Sequence, residues 1–168
     1  MRLSRRLEVK IMKSLIALIA GFLLAVQASA APAANEPKQI ATQWYEAFAS
    51  HDAELLEKIL APNWIDIPSP PAVPHGPEAA KAAMAMLISA FPDFDIKIED
   101  IVQEGNKVVV RSNITGTQRQ AFAGLPATGR SMKIQAVDIH EINNGKIVRT
   151  WHTEDWMTGL RELNHLSR

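Results

Sequence analysis

Residues 130–160 constrain the fold of this 168-residue chain more than any other stretch. Two segments with alternating side chains flank an Asn-Asn-Gly sequence that is typical of turns, so we predict a long β-hairpin. Asp138 and His140 alternate on the first arm, and His152 and Glu154 alternate on the second. Side chains two positions apart in a strand point to the same face, so each pair shares a face. Whether both pairs share one face depends on the turn.

The turn at residues 143–145 permits two registers. A two-residue turn would place Asp138 opposite Trp151 and would send His152 to the other face. A three-residue turn with a left-handed glycine would shift the pairing so that Asp138 opposes Thr150 and becomes a diagonal neighbour of His152. A shift of one residue moves all side chains of a strand to the other face. The sequence permits both, and glycine at the third position favours the three-residue turn.

In that register five polar side chains share a face: Asp138, His140, Thr150, His152 and Glu154. A carboxylate beside an imidazole holds one ring tautomer and helps the ring to carry a proton, as in general acid–base catalysis. The alternative is an ordinary solvated His–Asp pair. Because apolar residues flank these positions, we predict a half-buried face, with His152 as base and Asp138 as its orienting partner. Two His and a carboxylate can also bind a metal, but this strand spacing is not diagnostic, and we predict neither metal nor cofactor.

Residues 1–30 have the pattern of a secretory signal peptide. A basic segment precedes the apolar run 15–26, and Ala-Ser-Ala follows it at 28–30 as a cleavage motif. Met12 begins a second, shorter version of the same pattern, so the start position stays open. The run is too short to span a bilayer comfortably, so we predict export to the periplasm or the medium without a stable membrane anchor. The chain has no Cys, which excludes disulfides and thiol chemistry.

The predicted mature part is acidic. Without residues 1–30, Lys+Arg falls from 18 to 13 and Asp+Glu from 18 to 17, a net charge of −4. Nucleic acids favour basic surfaces, so we predict no nucleic-acid partner. Residues 31–36 are predicted to be a tether, and 37–166 have the length of one domain.

The order of predicted elements indicates an α+β domain. Helical periodicity and turn signals predict helices at 37–50, 53–61, 77–91 and 157–166, a short strand near Trp64, and strands at 94–103, 107–118 and in the two hairpin arms. Helices gathered ahead of a run of strands predict a curved antiparallel sheet packed against the N-terminal helices, with a pocket between them.

Aromatic residues are the predicted pocket lining. Tryptophan is more often a core residue than a ligand contact, yet a small domain with four tryptophans can line a wide apolar cavity. We therefore predict that Trp44, Phe48 and Trp64 shape a pocket for a small hydrophobic molecule. His75, in a proline-rich loop, could cover its mouth, although a loop histidine is usually solvated.

The sequence resembles the SnoaL-like polyketide cyclases, also called the ester cyclase family, of the NTF2-like superfamily. The resemblance covers nearly all of 37–164 and rests on the segments 44–48, 61–64, 75–77, 124–130 and 144–147, and on Asp138, Trp151, Asp155, Gly159 and Leu160. It implies an NTF2-like cone around a hydrophobic pocket.

The resemblance also implies a site. In the characterised cyclases a pocket Asp performs acid–base catalysis of an intramolecular aldol ring closure, without cofactor, beside a His on the neighbouring strand. At those two positions this chain has His152 and Asp138, so the pair is exchanged. Asp155 matches a second acidic position of the family. Relatives often pair through the sheet face, which implies a homodimer, and the superfamily also includes isomerases and non-catalytic binding modules, the alternative function.

Overall fold

A computed structural model describes residues 36–69 and 75–166 of the chain. The predicted signal peptide lies outside these residues. The described elements, in chain order, are α1 (Glu36–Ser50), α2 (Ala53–Ile59), β1 (Leu60–Ile67), α3 (Pro77–Ala90), β2 (Asp95–Glu104), β3 (Lys107–Thr117), β4 (Ser131–Asn143), β5 (Lys146–Glu154) and α4 (Trp156–Glu162). The α+β class is confirmed, with an NTF2-like arrangement of helices against a curved sheet.

The five strands form one sheet in the order β1-β5-β4-β3-β2. β2, β3, β4 and β5 pair antiparallel, as predicted, whereas β1 pairs in parallel with β5 and makes the sheet mixed. β1 begins at Leu60, immediately after α2, so the observed helix α2 is two residues shorter than the predicted helix 53–61. The parallel pairing sets Asp66 opposite Thr150, on the strand that carries His152.

The core lies between the inner face of the sheet and the helices. Buried residues alternate with more exposed ones along most of β3 and β4, which gives the sheet one largely apolar inner face, and α1 contributes Tyr45, Ala47 and Phe48 to cover it. Leu56 of α2 and Met84 of α3 are also buried. Each large apolar side chain that is fully buried stabilises the fold by roughly 1.5–3 kcal/mol. The helices therefore stay on this one face.

Gly76 fixes the start of α3 over β1. Its φ is 90°, and an added Cβ would lie 2.4 Å from the carbonyl oxygen of Pro62. The Gly76 amide donates to the carbonyl oxygen of Trp64 at 2.8 Å. Because only glycine accepts both the positive φ and this close approach, α3 is held against the strand that carries Trp64.

The hairpin of β4 and β5 has a turn that differs from the predicted one. Asn143 pairs with Lys146, so the loop has two residues, Asn144 and Gly145, both with positive φ (50° and 72°). Asparagine and glycine are the residues that best accept this left-handed pair, as in a type I′ turn. The predicted three-residue turn is wrong.

A β-bulge nevertheless restores the shared face. The register shifts between Glu141 and Ile142, and the pairing leaves Val148 as an extra residue on β5. Beyond the bulge Asp138 lies directly opposite His152. A bulge inserts one unpaired residue and so changes which side chains oppose each other. The predicted common face of the two arms is confirmed, with Asp138 and His152 as direct rather than diagonal neighbours.

Candidate active site

A cavity of about 620 Å³ lies between the inner sheet face and the helices. Its wall is mostly apolar and includes Trp44, Phe48 and Trp64, as predicted. The centroid of the Trp44 ring lies 4.9 Å from the centroid of the Phe48 ring and 5.6 Å from that of the Trp64 ring, so the three rings form one aromatic wall. The ionisable side chains in the lining are Asp66, Glu78, Asp138, His152 and Glu154. Among the residues that the structure describes, the lining contains no Lys or Arg.

Asp138 is the end of a buried chain of hydrogen bonds. The Tyr45 hydroxyl donates to Asp138 Oδ2 at 2.5 Å and lies 3.1 Å from His140 Nε2. His140 Nδ1 lies 3.0 Å from the Thr150 hydroxyl, which accepts from Trp64 Nε1 at 3.0 Å. His140 and Thr150 are fully buried and lie behind the cavity wall. The chain therefore runs from one wall residue, through the core, to another.

The chemistry of these groups fixes the direction of every bond. Tyr45 has one hydroxyl proton, and it goes to Asp138, so its oxygen accepts from His140 Nε2–H. Burial lowers the pKa of His140 to about 3, so the ring is neutral and Nδ1 carries no proton. Nδ1 then accepts from the Thr150 hydroxyl. We assign the Nε2–H tautomer to His140 on this network.

Burial also shifts the pKa values of Asp138 and Tyr45, which form one end of this hydrogen-bond chain. It raises the pKa of Asp138 to about 6, although the Tyr45 bond and the charge of His152 act in the opposite direction. Burial and the adjacent carboxylate raise the pKa of Tyr45 far above its usual range, so its phenol is a permanent donor. The other oxygen of Asp138, Oδ1, has no hydrogen-bond partner among residues 36–69 and 75–166. A carboxylate with one free oxygen in an apolar cavity can accept a proton near neutral pH.

His152 is oriented by Asp66, not by Asp138 as predicted. Asp66 Oδ1 lies 3.1 Å from His152 Nδ1, which is an ion pair when the ring is protonated, and this oxygen makes no hydrogen bond in the described part of the chain. The contact raises the pKa of His152 above its usual value, against the opposing effect of burial. The imidazolium is therefore more favoured than in an exposed histidine, and when the ring is protonated its Nε2–H is left for a ligand. The reason for the change is the parallel β1, which brings Asp66 to this face.

Glu154, His75 and Asp155 complete the predicted set. Glu154 lines the cavity and accepts from Trp156 Nε1 at 2.5 Å. His75 is exposed and is not part of the cavity lining.

Asp155 is an exposed helix cap. Its side chain accepts from the Thr158 amide at 3.0 Å at the start of α4, and the Thr158 side chain together with this amide holds the pKa of Asp155 below its usual value. A cap satisfies an amide that has no partner within the helix. Its position outside the cavity gives no support to the predicted catalytic role.

Tyr45 and Asp66 were missing from the predicted site. Asp66 follows Trp64 by two positions in a strand, so the two share a face, and this signal could have indicated it. Tyr45 lies 93 residues from its partner Asp138, and nothing local in α1 indicates that contact.

Within residues 36–69 and 75–166 no group of three or more His, Asp or Glu side chains converges in an arrangement suited to a metal ion. In the same residues no helix has the length and apolar character needed to cross a membrane.

The fold and this cavity place the protein in the class of NTF2-like α+β proteins with an interior pocket. A family model for the SnoaL-like polyketide cyclases matches residues 38–163. The chain belongs to that family. Comparison with curated proteins finds no match for the chain.

Solved structures agree with this assignment. TsrD from Streptomyces laurentii is 28% identical, with a TM-score of 0.74, and the match covers 80% of this chain and 98% of TsrD. IdmH from Streptomyces antibioticus, a proposed polyketide cyclase, is 30% identical with a TM-score of 0.67, covering 76% of this chain and 98% of IdmH. A proposed polyketide cyclase from Bacillus cereus is 28% identical with a TM-score of 0.69, covering 80% and 84%.

Proposed function

We propose that this protein binds a small, uncharged, largely apolar carbonyl compound and transfers a proton beside its carbonyl group without a cofactor. One observation carries the proposal: a buried carboxylate with a free oxygen, Asp138, lies opposite an imidazole held by a second carboxylate, His152, in an apolar cavity. The predicted signal peptide adds that the protein acts in the periplasm or the medium.

Asp138 is the base in this proposal. A general base works best when its pKa lies near the working pH, and burial raises the pKa of Asp138 to about 6. Oδ2 is occupied by Tyr45, so Oδ1 takes the proton from the carbon next to the carbonyl. The electron pair of that C–H bond then forms the C=C bond of an enol.

His152 is the acid. Asp66 holds Nδ1, so Nε2–H can donate to the carbonyl oxygen while negative charge develops there. The sequence had predicted His152 as the base and Asp138 as its orienting partner. The enol can attack a second carbonyl of the same molecule, which closes a ring, or take the proton back at another carbon, which isomerises it. The names of the relatives IdmH and the Bacillus cereus protein favour ring closure.

The charge of the lining selects the ligand. Of the described residues, four carboxylates and one histidine line the cavity, and no Lys or Arg does. Like charges repel strongly where the dielectric constant is low, so a carboxylate or phosphate ester would bind poorly. A neutral molecule with several ring or carbonyl carbons fits the aromatic wall.

Deuterium exchange tests the proposal. We expect the protein to accelerate, in D₂O, the loss of the methyl proton NMR signal of 2-acetylnaphthalene, an uncharged aryl ketone. Asp138→Asn should reduce this acceleration by about 100-fold or more, because a positioned base contributes 10²–10⁴-fold. Calorimetry should show that the variant still binds the ketone. Asp100→Asn, an exposed acid on β2, is the matched control and should exchange at the wild-type rate.

The pH profile separates the two possible roles of His152. As acid it must be protonated, so the exchange rate should fall as pH rises through its pKa; as base it would give the opposite slope. Full activity in Asp138→Asn would refute the assignment of the base. Binding without exchange in the wild type would instead identify a non-catalytic binding module.

A further inference from the structure

The chain of hydrogen bonds behind Asp138 ends at a group that can only donate. The indole Nε1–H of Trp64 has no lone pair available, and it donates to Thr150. Every later bond then points the same way, through His140 and Tyr45 to Asp138. Many buried networks can reverse by moving each proton to the other side of its hydrogen bond. In this network the Trp64 end can only donate, so its direction is fixed there.

We propose that Trp64, Thr150, His140 and Tyr45 act as one unidirectional chain that keeps Oδ2 of Asp138 an acceptor and directs any incoming proton to Oδ1. The four residues are positioning residues, since they act through Asp138. Their task is to fix which of two chemically equivalent oxygens works as the base.

The opposite direction of the hydrogen bonds would leave one buried group without a partner. If Oδ2 carried the proton, it would donate to Tyr45, Tyr45 would donate to His140 Nε2, and His140 Nδ1–H would donate to Thr150. The Thr150 hydroxyl proton would then face the Trp64 N–H and would have no acceptor among the described residues. A buried polar group without a partner costs about 1–3 kcal/mol. The forward direction is therefore preferred whether or not Asp138 is ionised.

Several titratable groups lie near this carboxylate or line the same cavity. They are His140 on β4, Tyr45 on α1, Asp66 on β1, Glu78 on α3, and His152 and Glu154 on β5, and of these His140 and Tyr45 are uncharged. Glu154 and Asp66 disfavour the anion of Asp138, and His152 favours it. The Tyr45 bond is the direct hydrogen bond among these influences, so it is the one that distinguishes the two oxygens.

The hydrogen-bond chain exists in the ligand-free protein and does not depend on the proposed function. Only its role, which is to select the oxygen of Asp138 that acts as the base, rests on the proposed function. The first experiment is ¹⁵N NMR of the imidazoles in the wild type. We expect His140 to be neutral in the Nε2–H tautomer and to keep that tautomer while Asp138 is titrated. A switch of His140 to Nδ1–H as Asp138 takes up its proton would overturn the proposal, and would leave the proposed function untouched.

The second experiment measures the pKa of Asp138 by ¹³C NMR in variants of the chain. Tyr45→Phe should move it upward by about one pH unit or more, because a hydrogen bond to a charged group is lost. Thr150→Val should move it in the same direction by less, and Thr150→Ser, which retains the hydroxyl, should restore the wild-type value. Thr153→Val, an exposed position on the same strand, is the control and should leave it unchanged.

The pair of Thr150 variants distinguishes a connected chain from a single local bond. If Tyr45→Phe raises the pKa of Asp138 while Thr150→Val and Thr150→Ser leave it equally unchanged, the distant members do not act on Asp138 and the proposal fails. Amide NMR spectra verify that each variant is folded. Should Thr150→Val not fold, the tautomer measurement on the wild type still decides the question.

Discussion

His140 is an imidazole that the fold keeps neutral. It is fully buried between Tyr45 and Thr150, and burial lowers its pKa to about 3, from 6.5 in an exposed peptide. Below pH 6.5 the unfolded chain binds a proton at this ring that the folded chain cannot bind. The free energy of unfolding contributed by His140 is therefore lost as pH falls from that value towards 3. Asp138 acts in the opposite sense, since its raised pKa makes the folded chain bind the extra proton.

The contribution of His140 can be isolated with a variant. His140→Gln should be less stable than the wild type at pH 7, because glutamine replaces the two hydrogen bonds of the ring, to Tyr45 and Thr150, only in part. At pH 5 the destabilisation relative to wild type should be about 2 kcal/mol smaller, because only the wild type must then exclude a proton. Chemical denaturation at both pH values measures the two differences. Equal differences would mean that the ring is not held neutral.

At the scale of elements, the β-bulge of β5 decides the composition of the site. Ile147 opposes Ile142 and Arg149 opposes Glu141, so Val148 is the residue without a cross-strand partner. The two-residue turn alone would have placed Trp151 opposite Asp138. The extra residue brings His152 there instead, on the inner face.

Two deletions test this role. Removal of Val148 should produce a regular hairpin with the same pairs, so His152 should stay opposite Asp138 and the stability loss should not exceed about 2 kcal/mol. Removal of Trp151 can only be absorbed by relaxing the bulge, which would place Arg149 on the inner face beside His140. An unpaired buried charge should cost about 3–5 kcal/mol. Urea denaturation compares the two, and equal losses would contradict the assignment of Val148.

Elements with strong local signals were predictable. α1 and α3 have clear periodicity and proline starts, and the strands β3 and β4 alternate over most of their length, so their bounds differ from prediction by only a few residues. The turn was mispredicted because the sequence Asn-Asn-Gly is compatible with two turns. One is a two-residue turn with both residues left-handed, as observed, and the other is a three-residue loop with a left-handed glycine. A bulge has no sequence signature here. The shared face was correct for a reason the sequence did not contain.

At the scale of the whole molecule, the outer face of the sheet is partly apolar. Val102, Val109 and Val137 are 58%, 37% and 41% exposed. Trp151 lies beside them, with Lys107 and Arg149 over its ring at 5.2 and 5.3 Å. Glu104 and Glu141 carry opposite charge on the same face. Both signs around one apolar centre suit a second copy of the chain related by two-fold symmetry.

We therefore expect a homodimer through this face. Val137→Glu places a charge at its centre and should convert the dimer to a monomer, because a buried unpaired carboxylate is costly in an interface. Light scattering after size-exclusion chromatography measures the mass. Gln39→Glu, an exposed position on α1, is the matched control and should stay dimeric. A monomeric wild type would refute the expectation.

The long-range part of the site is what sequence reasoning could not reach. Asp138, His152 and Glu154 were found together because they belong to one hairpin. Tyr45 and Asp66 arrive from α1 and β1, and their contacts depend on how helices and a parallel strand pack, which periodicity does not encode. Packing, rather than local pattern, selects the partners of each ionisable group.

The placement of the tryptophans gives the molecule its own optical reporter. Trp44, Trp64 and Trp156 line the cavity, whereas Trp151 lies on the opposite face of the sheet. Indole emission depends on the polarity and quenching groups around the ring. A compound that enters the cavity thus changes the fluorescence of three of the four tryptophans directly, and the fourth responds to whatever covers the outer face.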